Sequence, residues 1–197
     1  MGAWIRMVPV AEATGPLKAA YDKVKTPHGT VDNVMRVHSL RPHTMEGHVA
    51  LYRSVLHHPD TTLPLWFLEC VAVATSLVNR CDYSFAHHWT NARNLLRDER
   101  RAGEILKALR DGQPEQAFAG KELALIEYAR TLTRAPGEVT RADVDACRAA
   151  GADDGEILEV NQVCAYFNYS NRVLNGLGVD TEGDTVGYYT DRSDTSA

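Results

Sequence analysis

A chain of 197 residues, 44% hydrophobic and 24% charged, is long enough to bury the core of one domain or of two fused small repeats. Its formal net charge of −5 comes without any basic block, which excludes a nucleic-acid groove, and no apolar stretch reaches the roughly 20 residues that span a bilayer. No basic start followed by an apolar run marks a targeting segment, and Cys70, Cys81, Cys147 and Cys164 lie too far apart for a secreted disulfide framework. The expectation is a soluble cytoplasmic protein with neither nucleic acid nor membrane as a partner.

Up to Pro9 the chain reads as a loose lead-in. The spacing of Leu17, Ala20, Tyr21 and Val24 predicts a short amphipathic helix from about Pro16 to Val24. Thr26 to Asp32, with Pro27 and Gly29, is a loop. Asn33 to Leu40 predicts another short helix, and Arg41-Pro42 separates it from a longer one through Leu56. Met45, Val49, Tyr52, Val55 and Leu56 form the buried stripe of that longer helix. His57 to Thr62, with Pro59 and Asp60, feeds the central segment, Leu63 to Arg97.

From Leu65 to Val78 that segment is apolar almost all round, so its helix is expected to be buried on most faces. Pro64 stands where a first helical position would be, with Thr62 just outside it. Inside the run sits one carboxylate, Glu69. Unpaired burial of such a group costs several kcal/mol, so it must be paired, protonated or functional. Cys81, Ser84 and His88 follow at i, i+3 and i+7, one stripe on one helical face. Near a helix start the dipole and an imidazole would both favour a Cys81 thiolate. Glu69 precedes Cys81 by twelve positions (81 − 69 = 12), roughly 18 Å along an unbroken helix. The carboxylate can therefore meet the stripe only if the helix breaks and turns near Asn79-Arg80.

Beyond the segment, Asp98 to Arg110 predicts a charged amphipathic helix with Ile105, Leu106 and Leu109 inward, broken by Asp111-Gly112 and Pro114. Lys121 to Leu132 is another, closed by Pro136-Gly137. Thr140 with Asp143 three residues on is a variant capping box. Gly151 ends that helix, Asp153 or Asp154 opens the last long one, and Gly176 and Gly178 terminate it. The tail from Thr181 is polar and reads as disordered or draped on a neighbour. Gly103-Glu104-Ile105-Leu106 returns as Gly155-Glu156-Ile157-Leu158, and Ala74-x-x-Leu77 resembles Ala129-x-x-Leu132, a faint internal echo. No stretch alternates with period two, so the fold class is all-α.

The eight histidines do not predict a metal site. His38, His43 and His48 recur every five residues and scatter around a helix, while His57-His58 and His87-His88 are adjacent pairs rather than i, i+4 ligands. Tyr83, His87 and Trp89 read as packing or subunit-contact residues pointing away from the stripe. Asn168, Asn171 and Arg172 read as a structural hydrogen-bond cluster.

The spacing Glu69, eleven residues, Cys81, two residues, Ser84, three residues, His88 resembles the E-x11-C-x2-C-x3-H motif of the AhpD-like alkylhydroperoxidase and carboxymuconolactone decarboxylase superfamily, with Ser84 in place of the second cysteine. Asn33 to Tyr52 and Phe167 to Val179 resemble its longer peroxidase-related branch. The resemblance implies an AhpD-like helical bundle over residues 1–180, with a motif half at about 33–112, a second half at about 120–179 and a polar tail at 181–197. It also implies a homo-oligomer, a trimer or hexamer, for which Trp66, Trp89, Tyr188 and Tyr189 are contact candidates.

In the alkylhydroperoxidase branch a Glu and His activate one thiol of a pair, and the second thiol captures the sulfenic acid before it over-oxidises. Ser84 cannot do that, and Cys70 is the only thiol near in sequence. The decarboxylase branch implies acid/base chemistry without cofactor or metal, for which Glu69, His88 and Cys81 as catalytic groups and Ser84 as a substrate contact suffice. The expectation is a cofactor-free enzyme acting on a small organic molecule. A thiol peroxidase is the second reading. The third is a non-catalytic relative, which a cavity filled by side chains or a Glu69–arginine ion pair would favour.

Overall fold

The apolar run at the centre of the sequence becomes a helix whose residues Phe67 to Ser76 are all buried. A computed structural model of the protein describes residues 2–26 and 28–190; Pro27 of the predicted loop and tail residues 191–197 lie outside the described residues. In chain order the helices are α1 (Gly15–Lys23), α2 (Asn33–Arg36), α3 (Pro42–Leu56), α4 (Leu65–Val78), α5 (Asp82–Leu96), α6 (Glu99–Asp111), α7 (Gly120–Arg134), α8 (Arg141–Ala149) and α9 (Asp154–Leu177). Among the described residues there is no strand, and no helix is long and apolar enough to cross a membrane. The central helix α4 packs against α5, α7 and α9, while α3 lies along α9 and α1 along α3.

The ends of α4 decide what it can carry. Pro64 is its N-cap rather than its first helical residue. The Glu159 carboxylate of α9 accepts the backbone N–H groups of Thr62 and Leu63 at 2.8 and 2.9 Å, and the Thr62 hydroxyl at 3.0 Å. At the other end the helix stops where the sequence demanded it. Arg80 takes a left-handed backbone (φ 52), Arg80 N–H donates to Leu77 O at 3.2 Å and Cys81 N–H to Ser76 O at 2.9 Å. That pair of bonds is the Schellman closure, and it reverses the chain so that α5 returns along α4.

The other boundaries follow local chemistry. Thr140 and Asp143 form the capping box of α8; Asp153 and Glu156 form that of α9, with Glu156 N–H donating to Asp153 Oδ1 at 2.8 Å. Gly178 ends α9 with φ +58, and a Cβ there would fall 2.1 Å from the Trp4 ring. The lead-in is consequently fixed rather than loose. Trp4 N–H donates to Leu177 O at 2.8 Å and Asp180 N–H to Gly2 O at 3.1 Å. The Gly-Glu-Ile-Leu tetrads fall at unlike places, in the middle of α6 and in the first turn of α9.

The described part of the tail, 181–190, is draped on its own chain as a strap. Asp184 accepts the Asn33 backbone N–H at 3.0 and 3.1 Å, at the start of α2. Further along, Asn94 Nδ2 donates to Tyr188 O at 2.7 Å. A Cβ on Gly187 (φ +81) would lie 2.2 Å from the Thr90 side chain, so only glycine lets the strap lie this close to α5. Of the four aromatic contact candidates, Trp66 and Trp89 lie half-buried against the core, and Tyr188 and Tyr189 on the strap line a cavity.

Because Asp153 satisfies a free N–H at the head of the longest helix, Asp153→Ala is expected to lower unfolding stability by about 1 kcal/mol with the urea m-value unchanged, measured by urea denaturation.

Candidate active site

The reversal at Arg80 sets Glu69 of α4 against α5. Glu69 Oε2 accepts from His88 Nδ1 at 2.6 Å, and Glu69 Oε1 accepts from Asn91 Nδ2 at 3.1 Å. The carboxylate is fully buried, and each of its oxygens has a donor, which is what makes burial of the charge tolerable. His88 is held by neighbours on other helices: Phe167 of α9 meets its ring edge-on at 4.5 Å between centroids, and Tyr52 of α3 lies at 6.5 Å. With the carboxylate ionised, Nδ1 is the protonated ring nitrogen. Nε2, the other one, is left with a lone pair.

His88 lines a cavity of about 280 Å³ enclosed by α3, α5, α9 and the strap. Tyr52, Ser84, Tyr166 and Tyr188 contribute to its walls. Burial, reinforced by the Glu69 charge, pushes the Tyr52 phenol well above its ordinary value, and burial raises Tyr166 as well. His48, which shares a 2.9 Å hydrogen bond with the Tyr166 hydroxyl, is driven down to about 3 by burial and by neighbouring His38. Burial also lowers His57. These four groups are neutral at neutral pH, so in buried surroundings the attraction between the Glu69 carboxylate and a positive charge developing on the His88 ring is little screened.

Ser84 faces this cavity as the motif spacing predicts, and Glu69 and His88 are brought together. Cys81 is not with them. It is the N-cap of α5, 1% exposed, in a separate apolar cluster with Ala3, Val37, Leu174 and Val179, and it does not line the cavity. Burial raises its thiol pKa. The Ser84 and Tyr83 backbone N–H groups at the helix start favour the thiolate but are outweighed. The dipole was expected to favour a thiolate; desolvation is the larger effect. Cys70 sits in the main core, where burial and the Glu69 charge push its thiol far up.

Tyr83 and His87, expected to point elsewhere, also line the cavity, because the buried face of α5 is wider than the Cys81–Ser84–His88 stripe. Tyr83 stacks on His87 at 4.7 Å and donates to Asp184 Oδ2 at 2.5 Å, with His87 Nε2 3.7 Å from the same carboxylate. Asp32, to which the Tyr188 hydroxyl donates, has its carboxyl pKa raised mainly by burial, with the charge of nearby Asp184 adding to it. Asn91 is the residue the sequence reading missed. Positions 84, 87, 88 and 91 follow i, i+3, i+4, i+7, and extending the stripe one turn would have reached it. Asn168 and Asn171 do form the structural lattice expected, bonding to Asn79 at 3.1 Å and Ser76 at 3.3 Å. Among the described residues no group of three His, Cys, Asp or Glu side chains is arranged to hold a metal ion.

No protein-family model and no curated protein sequence matches the chain. Its fold, however, is found among solved structures. An AhpD-core, peroxidase-related protein from Ralstonia eutropha JMP134 is 22% identical and superposes with a TM-score of 0.79 over 92% of this chain and 93% of that one. A peroxidase-related protein from Silicibacter sp. TM1040 is 21% identical, with a TM-score of 0.76 over 93% and 95%. The debrominase Bmp8 is 14% identical, with a TM-score of 0.71 over 93% and 92%; a cysteine-to-alanine variant of that debrominase has been solved with 2,3,4-tribromopyrrole. The protein has the AhpD-like all-α fold that its motif spacing implied.

Since all four cysteines are buried and free, the native protein is expected to show no thiol that reacts rapidly with an aromatic disulfide reagent near neutral pH, and four after unfolding in guanidinium. A fast-reacting native Cys81 would contradict the placement described here.

Proposed function

We propose that the protein is a cofactor-free acid/base enzyme acting on a small organic carbonyl or lactone substrate, of the decarboxylase, lyase or isomerase type. The observation that carries this reading is the 2.6 Å Glu69–His88 contact on the wall of a cavity that Cys81 does not reach. His88 Nε2 removes a proton from a carbon beside the substrate carbonyl, and the electron pair moves onto the oxygen as an enolate. Glu69 remains ionised and stabilises the imidazolium. Ser84 and Tyr52 hydroxyls on the cavity wall are the available donors to the developing oxyanion. In an isomerisation the imidazolium then returns the proton to carbon at a different position. In a decarboxylation no proton is first removed: the electron pair of the breaking bond to carbon dioxide forms the enolate directly, and a protonated His88 delivers its proton to the vacated carbon.

Two observations weigh against the other readings. A thiol peroxidase needs an accessible thiolate and a resolving thiol, whereas Cys81 is buried with a raised pKa and Ser84 holds the second position. A non-catalytic relative would leave Glu69 on an arginine or the cavity filled; here the partners of Glu69 are a histidine and an asparagine, and the cavity is open to a small molecule. The debrominase that shares the fold takes a small ring compound, which supports a substrate of similar size.

The test sets a panel of carboxylated lactones and enol acids beside peroxide consumption with a thiol reductant. Turnover is expected in the first assay. Glu69→Gln, which keeps the side-chain shape but cannot hold the charge, should lower it about 100-fold or more with the fold intact, and Cys81→Ser should leave it within about threefold. Reductant-dependent peroxide consumption abolished by Cys81→Ser would instead establish the thiol reading.

A further inference from the structure

We propose that Asn91 is a positioning residue that ties the C-terminal strap to the Glu69–His88 pair, so that Glu69 keeps both of its donors, and the charge it exerts on His88 is moderated, only when the strap is docked. The inference rests on the acid/base reading of the pair. A side-chain amide has two distinct ends, and both ends of Asn91 are engaged. Its Oδ1 accepts the Tyr188 backbone N–H at 2.7 Å, and its Nδ2 donates to Glu69 Oε1 at 3.1 Å. The first bond dictates the second. An N–H can be met only by the amide oxygen, so the docked strap fixes the amide with its NH2 group toward Glu69. Asn91 is 1% exposed, which leaves no solvent to substitute for either partner.

The same strap residue closes the cavity. The Tyr188 side chain lines it while the Tyr188 backbone holds Asn91. A second asparagine one turn on, Asn94, donates to Tyr188 O at 2.7 Å, so the strap peptide is gripped from both sides by α5. The strap therefore supplies a wall and a hydrogen bond to the reacting pair in one docking event. Release of the strap frees the amide to rotate, and Glu69 loses one of its two donors. The carboxylate charge then bears more fully on His88, around which Tyr52, His57 and Glu69 are the titratable neighbours.

The test reads the titration of His88 by nitrogen NMR in the full chain, beside far-UV circular dichroism to verify folding. Asn91→Ala is expected to raise the His88 midpoint by roughly one unit, because a lost donor to Glu69 favours the imidazolium. Gly187→Val acts at a distance: its side chain collides with Thr90 and lifts the strap without touching the cavity. It should move the midpoint in the same direction and speed exchange of the Tyr188 amide proton. The double variant should shift no further than Asn91→Ala alone, since both act through one bond. Should Gly187→Val fail to fold, Asn94→Ala loosens the same peptide and carries the same expectation. An unchanged His88 midpoint in a folded variant whose Tyr188 amide exchanges freely overturns the coupling. That result is independent of the catalytic assays, in which failure of the acid/base reading shows as undiminished turnover by Glu69→Gln.

Discussion

A carboxylate in the middle of the most apolar helix is the constraint on which the arrangement of this protein depends. Left alone, Glu69 would cost several kcal/mol, comparable to a large share of the whole folding free energy of a domain. The protein resolves this with donors from the next helix, and those donors can reach only because α4 ends in a tight reversal at Asn79-Arg80. The reversal, the antiparallel run of α5 and the seating of His88 against Phe167 are thus parts of one solution. Replacing Glu69 by a leucine of similar bulk would suit the core better. Its two donors, His88 and Asn91, are the residues that line the cavity beside it.

The groups nearest the pair add no competing charge to it. Burial raises the Tyr52 and Tyr166 phenols and lowers His48 and His57, so these four groups beside the pair stay neutral near neutral pH. The strap completes the enclosure with residues from the far end of the sequence. Asp184 joins the start of α2 to Tyr83, and the Tyr188 hydroxyl reaches Asp32, so one segment ties together helices that otherwise share few bonds. A site whose walls come from several helices and a strap holds its polar groups in fixed positions, and such preorganisation is what proton transfer requires.

Much of this was legible in the sequence, and the parts that were not have identifiable causes. The all-helical fold followed from local signals that act within a few residues: the Thr140–Asp143 and Asp153–Glu156 caps, Gly178, and the long apolar run. The break at Asn79-Arg80 followed from distance alone, because a straight helix would have held Glu69 and the stripe apart. The exposure of Cys81 could not be read locally. It is buried by Ala3 and Val179, near opposite ends of the described chain. The strap was equally opaque, since a polar composition says nothing about which backbone and side-chain groups will capture Asp184 and Tyr188. Tyr83 and His87 were misassigned because the stripe was drawn one residue wide, and Asn91 was missed because it was drawn one turn short.

The claim that unites site and fold is that Glu69 holds the charge and His88 presents a bare Nε2 to the cavity. The nitrogen chemical shifts of the His88 ring in uniformly labelled protein at neutral pH report this directly. The account predicts a protonated Nδ1, with its proton shifted far downfield by the carboxylate, and an unprotonated Nε2. A ring protonated on Nε2 with a bare Nδ1 would place the proton of the pair on Glu69, leave no base facing the cavity and contradict the account.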